Sequence, residues 1–169
     1  MPNWTDVRVS VTHKDKFVMD RLEEILDRGE PFDQIIPMPL ALRDTVSPDP
    51  KPDSPNYKGE QPVVDGHTNW YDWSVANWGT KWDVPQGDIV LDRIDDHTMD
   101  FTLQTAWSPP IPVFDYLVNE YEYSIHAVYL DEGHMYVGEY IDGDEENYDT
   151  STAPDHLKDE FNLWEHIYE

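Results

Sequence analysis

The sequence predicts an α+β fold, with helices covering one face of a mainly antiparallel sheet. Three observations carry that expectation. Val7, Val9 and Val11 alternate with Arg8 and Ser10, the period-two pattern of a half-buried strand. Phe17, Val18, Leu22, Ile25 and Leu26 recur at helical spacing directly afterwards. Two later stretches of alternating apolar residues are each broken by an acidic turn, Asp95-Asp96-His97 and Asp131-Glu132-Gly133, as hairpins require.

The elements follow in order. Trp4 to Thr12 is the first strand. Thr12, three residues before Asp15, is the expected helix cap, and Gly29 ends the helix where a left-handed residue is wanted. Phe32 to Ile36 is expected to be a short strand closed by Pro37 and Pro39. Residues 43–66 hold Pro48, Pro50, Pro52, Pro55 and Pro62 and form a long inserted loop. A short helix is predicted from Thr68 to Trp78, then a strand over Thr80 to Val84. Asp88 to Arg93 and Met99 to Gln104 make the first hairpin. Pro109, Pro110 and Pro112 lead into a helix through Phe114, Leu117, Val118 and Tyr121. Tyr123 to Leu130 and Met135 to Ile141 make the second hairpin. Asp142 to Asp149 is expected to be a solvated connector, and Asp155 to Tyr168 a closing amphipathic helix. Such an alternation suits one layer of helices on one sheet.

Composition narrows the function. The absence of Cys removes disulfides, thiolate nucleophiles and Cys-type zinc sites, and suits a reducing cytosol. No apolar run approaches the ~20 residues that span a bilayer, and the start MPNWTDVRV lacks the features of a leader, so a soluble cytoplasmic chain is expected. The formal net charge of -25 is uneven: residues 85–169 hold twenty-one acids against two bases, Arg93 and Lys158. Nucleic acid and anionic membranes are thereby excluded as direct partners, because both demand Lys and Arg.

Two motifs join tryptophan to turn-forming residues: Trp78-Gly79-Thr80-Lys81-Trp82 and Ala106-Trp107-Ser108-Pro109-Pro110. The first is read as structural, with Gly79 ending a helix, Trp78 and Trp82 buried, and Lys81 paired with an acid; Trp107 is read as an anchor for the next helix. The seven His show no metal-binding spacing, and Ser74, Ser108 and Ser124 lack a nucleophile-elbow context. Asp142, Asp144, Glu146 and Asp149 miss the central Gly and terminal Glu of an EF-hand. No catalytic residue, metal or cofactor is expected.

Together these residues resemble a known family. Met1 to Trp4, the Phe-x-x-Ile-Ile-Pro-Met-Pro segment at Phe32 to Pro39, the two tryptophan motifs and the turn at Glu132-Gly133 are similar in type and order to the Api92-like proteins of phages and plasmids, which carry a YubB-type ferredoxin-like domain. Thr5 departs from that pattern, which has Cys there. The resemblance covers residues 1–141 and sets 142–169 apart as an acidic extension ending in a helix. It implies a ferredoxin-like sandwich, residence on mobile elements, and Trp4, Trp78, Gly79, Lys81, Trp82 and Trp107 as family positions. It implies no activity.

The remaining candidate site is the acids. Asp95, Asp96, Asp100, Glu120, Glu122, Asp131, Glu132, Glu139, Asp142, Asp144, Glu145, Glu146 and Asp149 are expected to form one negative surface. Ordinary surfaces mix both signs, and this stretch does not. The expected role is a non-enzymatic inhibitor whose acidic face imitates DNA and occupies the basic groove of a host defence protein. A homodimer is left open. The competing readings are a small-ligand or enzymatic module at Trp78–Trp82, and an acidity that serves solubility or a saline host.

Overall fold

The computed structural model describes residues 2–164. Its elements are β1 (Trp4–Thr12), α1 (Lys16–Arg28), α2 (Pro31–Ile35), α3 (Leu40–Arg43), α4 (Trp70–Trp78), β2 (Val90–Arg93), β3 (Thr98–Ala106), α5 (Ile111–Tyr121), β4 (Ser124–Asp131), β5 (Val137–Ile141), β6 (Asp144–Tyr148) and α6 (Asp155–Phe161). The strands form one sheet in the order β2-β3-β1-β4-β5-β6, antiparallel at every pairing. β1-α1-β2 and β3-α5-β4 each cross one intervening strand, which makes β2-β3-β1-β4 the split β-α-β core of a ferredoxin-like sandwich. Residues 31–89 are inserted between α1 and β2, and β5 and β6 widen the sheet beyond β4.

Alternation decides which face is buried. Val7, Val9 and Val11, Met99, Phe101 and Leu103, and Ile125, Ala127 and Tyr129 point to the same side. There they meet Met19, Leu22 and Leu26 of α1 and Phe114 and Leu117 of α5 in one core. Each large apolar side chain so buried contributes about 1.5–3 kcal/mol. Phe17, predicted on the apolar stripe, is exposed instead. The α1 cap is Asp15 itself, whose carboxylate accepts from the Phe17 N–H at 2.9 Å.

Four expectations are corrected. Phe32 to Ile36 is helix α2 rather than a strand, because Pro31 sits at its first turn and a distant carboxylate caps it. Asp83 accepts from the N–H groups of Phe32 and Asp33 at 3.0 and 2.8 Å. Thr80 to Val84, predicted as a strand, is irregular for the same reason: it delivers that cap. Asp142 to Asp149 is not a connector. Asp142 and Gly143 take φ of 46° and 108°, a two-residue hairpin turn, and Asp144–Tyr148 pairs with β5 as the sheet's sixth strand.

The fourth correction concerns the layers. α6 lies on the opposite face of the sheet, where Ala153, Leu157 and Leu163 pack with Val137, Val128 and Leu130. Helices therefore occupy both faces, and α6 covers only the β4-β5-β6 half of the second. The predicted closing helix stops at Phe161, where Asn162 takes φ of 53°; its remainder from Glu165 on lies outside the described residues. Among the described residues no helix is long and apolar enough to cross a membrane.

Candidate functional site

The half of the second face that α6 leaves open is built by β2, β3 and β1. Residues paired across strands share a face, so the register gives its rows. One row runs Asp92, Asp100, Ser10, His126, Ile141 and Asp144 from edge to edge. All six side chains are exposed. Asp92 and Asp100 are direct cross-strand neighbours, with Cβ atoms ~5 Å apart at such a pairing. A like-charge pair opposite one another is destabilising, and no lysine or arginine forms a salt bridge with either among the described residues. The adjacent row sets Glu139 opposite Glu146. There the charge is answered: His126 and His156 reach Glu139 at 2.6 and 2.9 Å. Burial pushes the Glu139 carboxyl up, but the two histidines outweigh it and hold the group below its ordinary range.

The arginines of β1 and β2 are committed to other acids. Arg8, on the open face, is bound to Asp6 at 3.3 Å and Glu160 at 3.0 Å and lies over the Phe161 ring at 4.5 Å. It fastens the end of α6 to β1. Arg93 is drawn to the helix side by Asp20 and Glu23, both at 3.0 Å.

The thirteen acids expected to form one surface are divided by the fold. Thr12 pairs with both Thr98 and Ser124, so the β2–β3 turn, the start of β4 and the Asp142 turn share one end of the sheet. Asp95, Asp96 and Asp142 lie there, joined by Glu120 and by Glu122, which reaches Lys14 at 3.8 Å. Asp131, Glu132 and Asp149 lie at the opposite end, since Thr5 pairs with Asp131 and Val137 with Tyr148. Nine residues of β1 separate the ends by about 27 Å. Asp131 is buried, its carboxylate accepting from Gly133 and Met135 N–H at 3.1 Å, and is no part of a docking surface. Glu139 is half-hidden in its histidine clamp. Asp144, Glu145 and Glu146 line the exposed edge strand, and Asp100 alone of the set sits in the open half-face. Asp92 lies within the acidic stretch 85–169 but is not among the thirteen expected residues.

The two tryptophan motifs meet. Trp78 is buried against Trp73 and Phe32, with ring centroids at 5.3 and 6.1 Å, and its Nε1–H donates to Ile36 O at 2.9 Å. Gly79 takes φ of 80°, and a Cβ there would lie 2.6 Å from Pro112 Cδ. The Ser108 hydroxyl donates to Gly79 O, and that of Thr80 to Ala106 O. Two expectations fail here. Among the described residues Lys81 forms a salt bridge with no acid and rests over the Trp82 and Tyr71 rings at 4.5 and 5.6 Å. Trp82 is half-exposed rather than buried, and its ring faces Trp4 at 6.1 Å. Trp107 is half-exposed with φ of 71°, an unusual conformation for a non-glycine residue, fixed by its N–H to Asn3 O and its carbonyl to the Tyr136 hydroxyl.

Between Trp4, Trp82 and the β2-β3 edge lies a cleft of about 780 Å³. Among the described residues no group of three or more His, Asp or Glu is placed to hold a metal ion.

Residues 86–169 match the family model described as the ferredoxin-like domain in Api92-like protein. The chain belongs to the Api92-like family. The matched range holds Trp107 and runs on through β6 and α6, so the segment after 141, set apart in the sequence reading, lies within the family's domain. Trp4 and Trp78 to Trp82 precede the matched range. The crystal structure of a protein api92 from Yersinia pseudotuberculosis is similar in fold, with a TM-score of 0.54 over 88% of this chain and 98% of that one, at 9% identity. At that identity the likeness concerns fold. No curated protein matches the chain.

Proposed function

We propose that this Api92-like chain is a non-enzymatic inhibitor acting in the cytoplasm by binding a basic protein surface through the open half of its sheet. The observation that carries the reading is the Asp92–Asp100 pair, two carboxylates on directly opposed residues with no lysine or arginine salt bridge to either among the described residues. An arrangement that costs stability while the chain is alone is relieved when a partner supplies the cation. Asp144 at the far end of the same row, with Glu145 and Glu146 on the edge strand, extends the negative field. A groove built for a nucleic-acid backbone fits such a row, so the partner proposed is a host nucleic-acid-handling defence protein of the restriction or CRISPR kind.

The test is capture from host lysate by the immobilised chain, with duplex DNA as competitor and the double variant Asp92→Asn with Asp100→Asn as control. The reading expects a nucleic-acid-binding protein that is displaced by DNA and lost with the double variant. Equal capture by the variant, or capture insensitive to DNA, overturns it.

A further inference from the structure

The cleft beside the open half-face has a chemistry of its own. Among the residues that line it are Trp4 and Trp82 and the acids Asp6, Glu30, Asp83 and Asp88. Among the described residues no lysine or arginine lines it. Not all four acids are equally available. Asp83 is spent on the N–H groups of Phe32, Asp33 and Val84, and Asp6 accepts from Arg8. Glu30 and Asp88 are exposed, neither has a salt-bridge partner among the described residues, and both line the cleft that Trp4 and Trp82 also line. Glu30 is held in place by its backbone, whose N–H donates to Val84 O at 2.6 Å.

An indole face is negative, and a ring flanked by free carboxylates selects for positive charge. Trp82 already illustrates the preference, since the molecule's own Lys81 ammonium rests on it at 4.5 Å without entering the cleft. We propose that the cleft takes the guanidinium of an arginine presented by a protein partner. A guanidinium is planar enough to lie along an indole and carries five N–H donors for carboxylates on either side. An ammonium has a compact, strongly hydrated charge and three donors, and a quaternary ammonium has none. The volume exceeds one side chain, so the residues flanking the arginine enter too. The cleft lies beside Val90 of β2, next to the Asp92–Asp100 pair, which makes it the anchor of the docking face; this much rests on the function proposed above.

The test uses an acetylated, amidated Gly-Arg-Gly peptide against its Gly-Lys-Gly counterpart and tetramethylammonium, followed by ¹H–¹⁵N spectra of the whole chain. The arginine peptide is expected to shift the Trp4 and Trp82 indole resonances saturably, with the other two probes weaker. The double variant Glu30→Gln with Asp88→Asn keeps the folded spectrum and binds roughly tenfold more weakly, the loss of two exposed charge contacts. Glu145→Gln with Glu146→Gln on the far edge leaves binding unchanged. Absence of a saturable indole shift overturns the proposal, as does equal response to lysine or tetramethylammonium, or indifference to the cleft variant. Peptide binding combined with no DNA-sensitive partner in lysate would leave the cleft standing and remove the inhibitor reading alone.

Discussion

Gly79→Ala tests whether the two tryptophan motifs are one structural unit. Gly79 has φ of 80°, and its new Cβ would sit 2.6 Å from Pro112 Cδ and 3.1 Å from Pro109 O. The left-handed backbone alone costs an alanine about 1–2 kcal/mol. The overlap adds about 1–3 kcal/mol, because α5 must move or the helix end must deform. Gly66→Ala is the matched control: φ is 82°, with nothing within 4 Å of the added carbon. Both variants also gain the same few tenths from a stiffer unfolded chain, so their difference isolates the overlap. In urea unfolding Gly79→Ala is expected to lose about 2–5 kcal/mol and Gly66→Ala about 1–2. By thermal melting the gap is roughly 2–12 °C for a chain of this size. Equal losses would refute the claim that Gly79 is dictated by contact with the prolines.

The remaining predictions concern the acids and α6. Asp131→Ala should cost about 1–3 kcal/mol in urea unfolding, because it strands the N–H groups of Gly133 and Met135, and a surface-like neutral effect would contradict its burial. Leu157→Ala should cost about 2–5 kcal/mol if α6 is integral to the fold, and under 1 if it is an appendage. Burial, opposed by three backbone N–H donors, pushes the Asp83 carboxyl up to about 6. Its folded form thus holds a proton that the unfolded chain has lost, so stability falls as pH rises from about 4 to 6; Asp83→Asn should remove that fall from a pH series of melts. Glu139 works in the other direction. Its lowered carboxyl stabilises the fold above the ordinary range and loses that contribution on acidification below it, so Glu139→Gln should flatten the acid limb.

Much of the fold is legible because its signals are local. Alternation in β1, the Asp-Asp-His and Asp-Glu-Gly turns and the helical spacing of α1 and α5 each need only neighbouring residues. α2 is illegible for the opposite reason: its cap, Asp83, lies fifty residues away in sequence. β6 lacks the alternation that marks a strand, since Asp144 to Asn147 are exposed on both faces. A usable signal was nevertheless there, the Asp142-Gly143 pair after Ile141, but the run of acids around it resembles a solvated tail. The acidic surface fails differently. Chain order brings Asp131, Glu132 and Asp142 together, whereas antiparallel strands carry Asp142 to the opposite end of the sheet from the other two. The open half-face draws on both halves of the chain, with Asp6 of β1 on the same face as Asp92 and Asp100, and no count along the sequence could assemble it.

Two bland accounts of the acidity can be weighed against that face. Charged residues on an edge strand discourage pairing with other chains, and this accounts for Glu145 and Glu146 on β6 and even for Asp92 on β2. It does not account for Asp100, whose strand is paired on both sides. Solubility asks for charge anywhere on the surface and gives no reason to set two carboxylates opposite one another. At physiological salt the screening length is ~8 Å, longer than the ~5 Å between the Cβ atoms of such a pair, so the repulsion is felt. In 1 M salt the length falls to ~3 Å and the repulsion fades. Asp100→Asn should therefore stabilise the chain by about 0.2–1 kcal/mol at 0.1 M salt, and the gain should vanish at 1 M. A gain at low salt means the pair is retained at a cost, as a site awaiting a cation would be. No gain would mean that the two carboxylates do not oppose one another in solution, and the docking face would lose its centre.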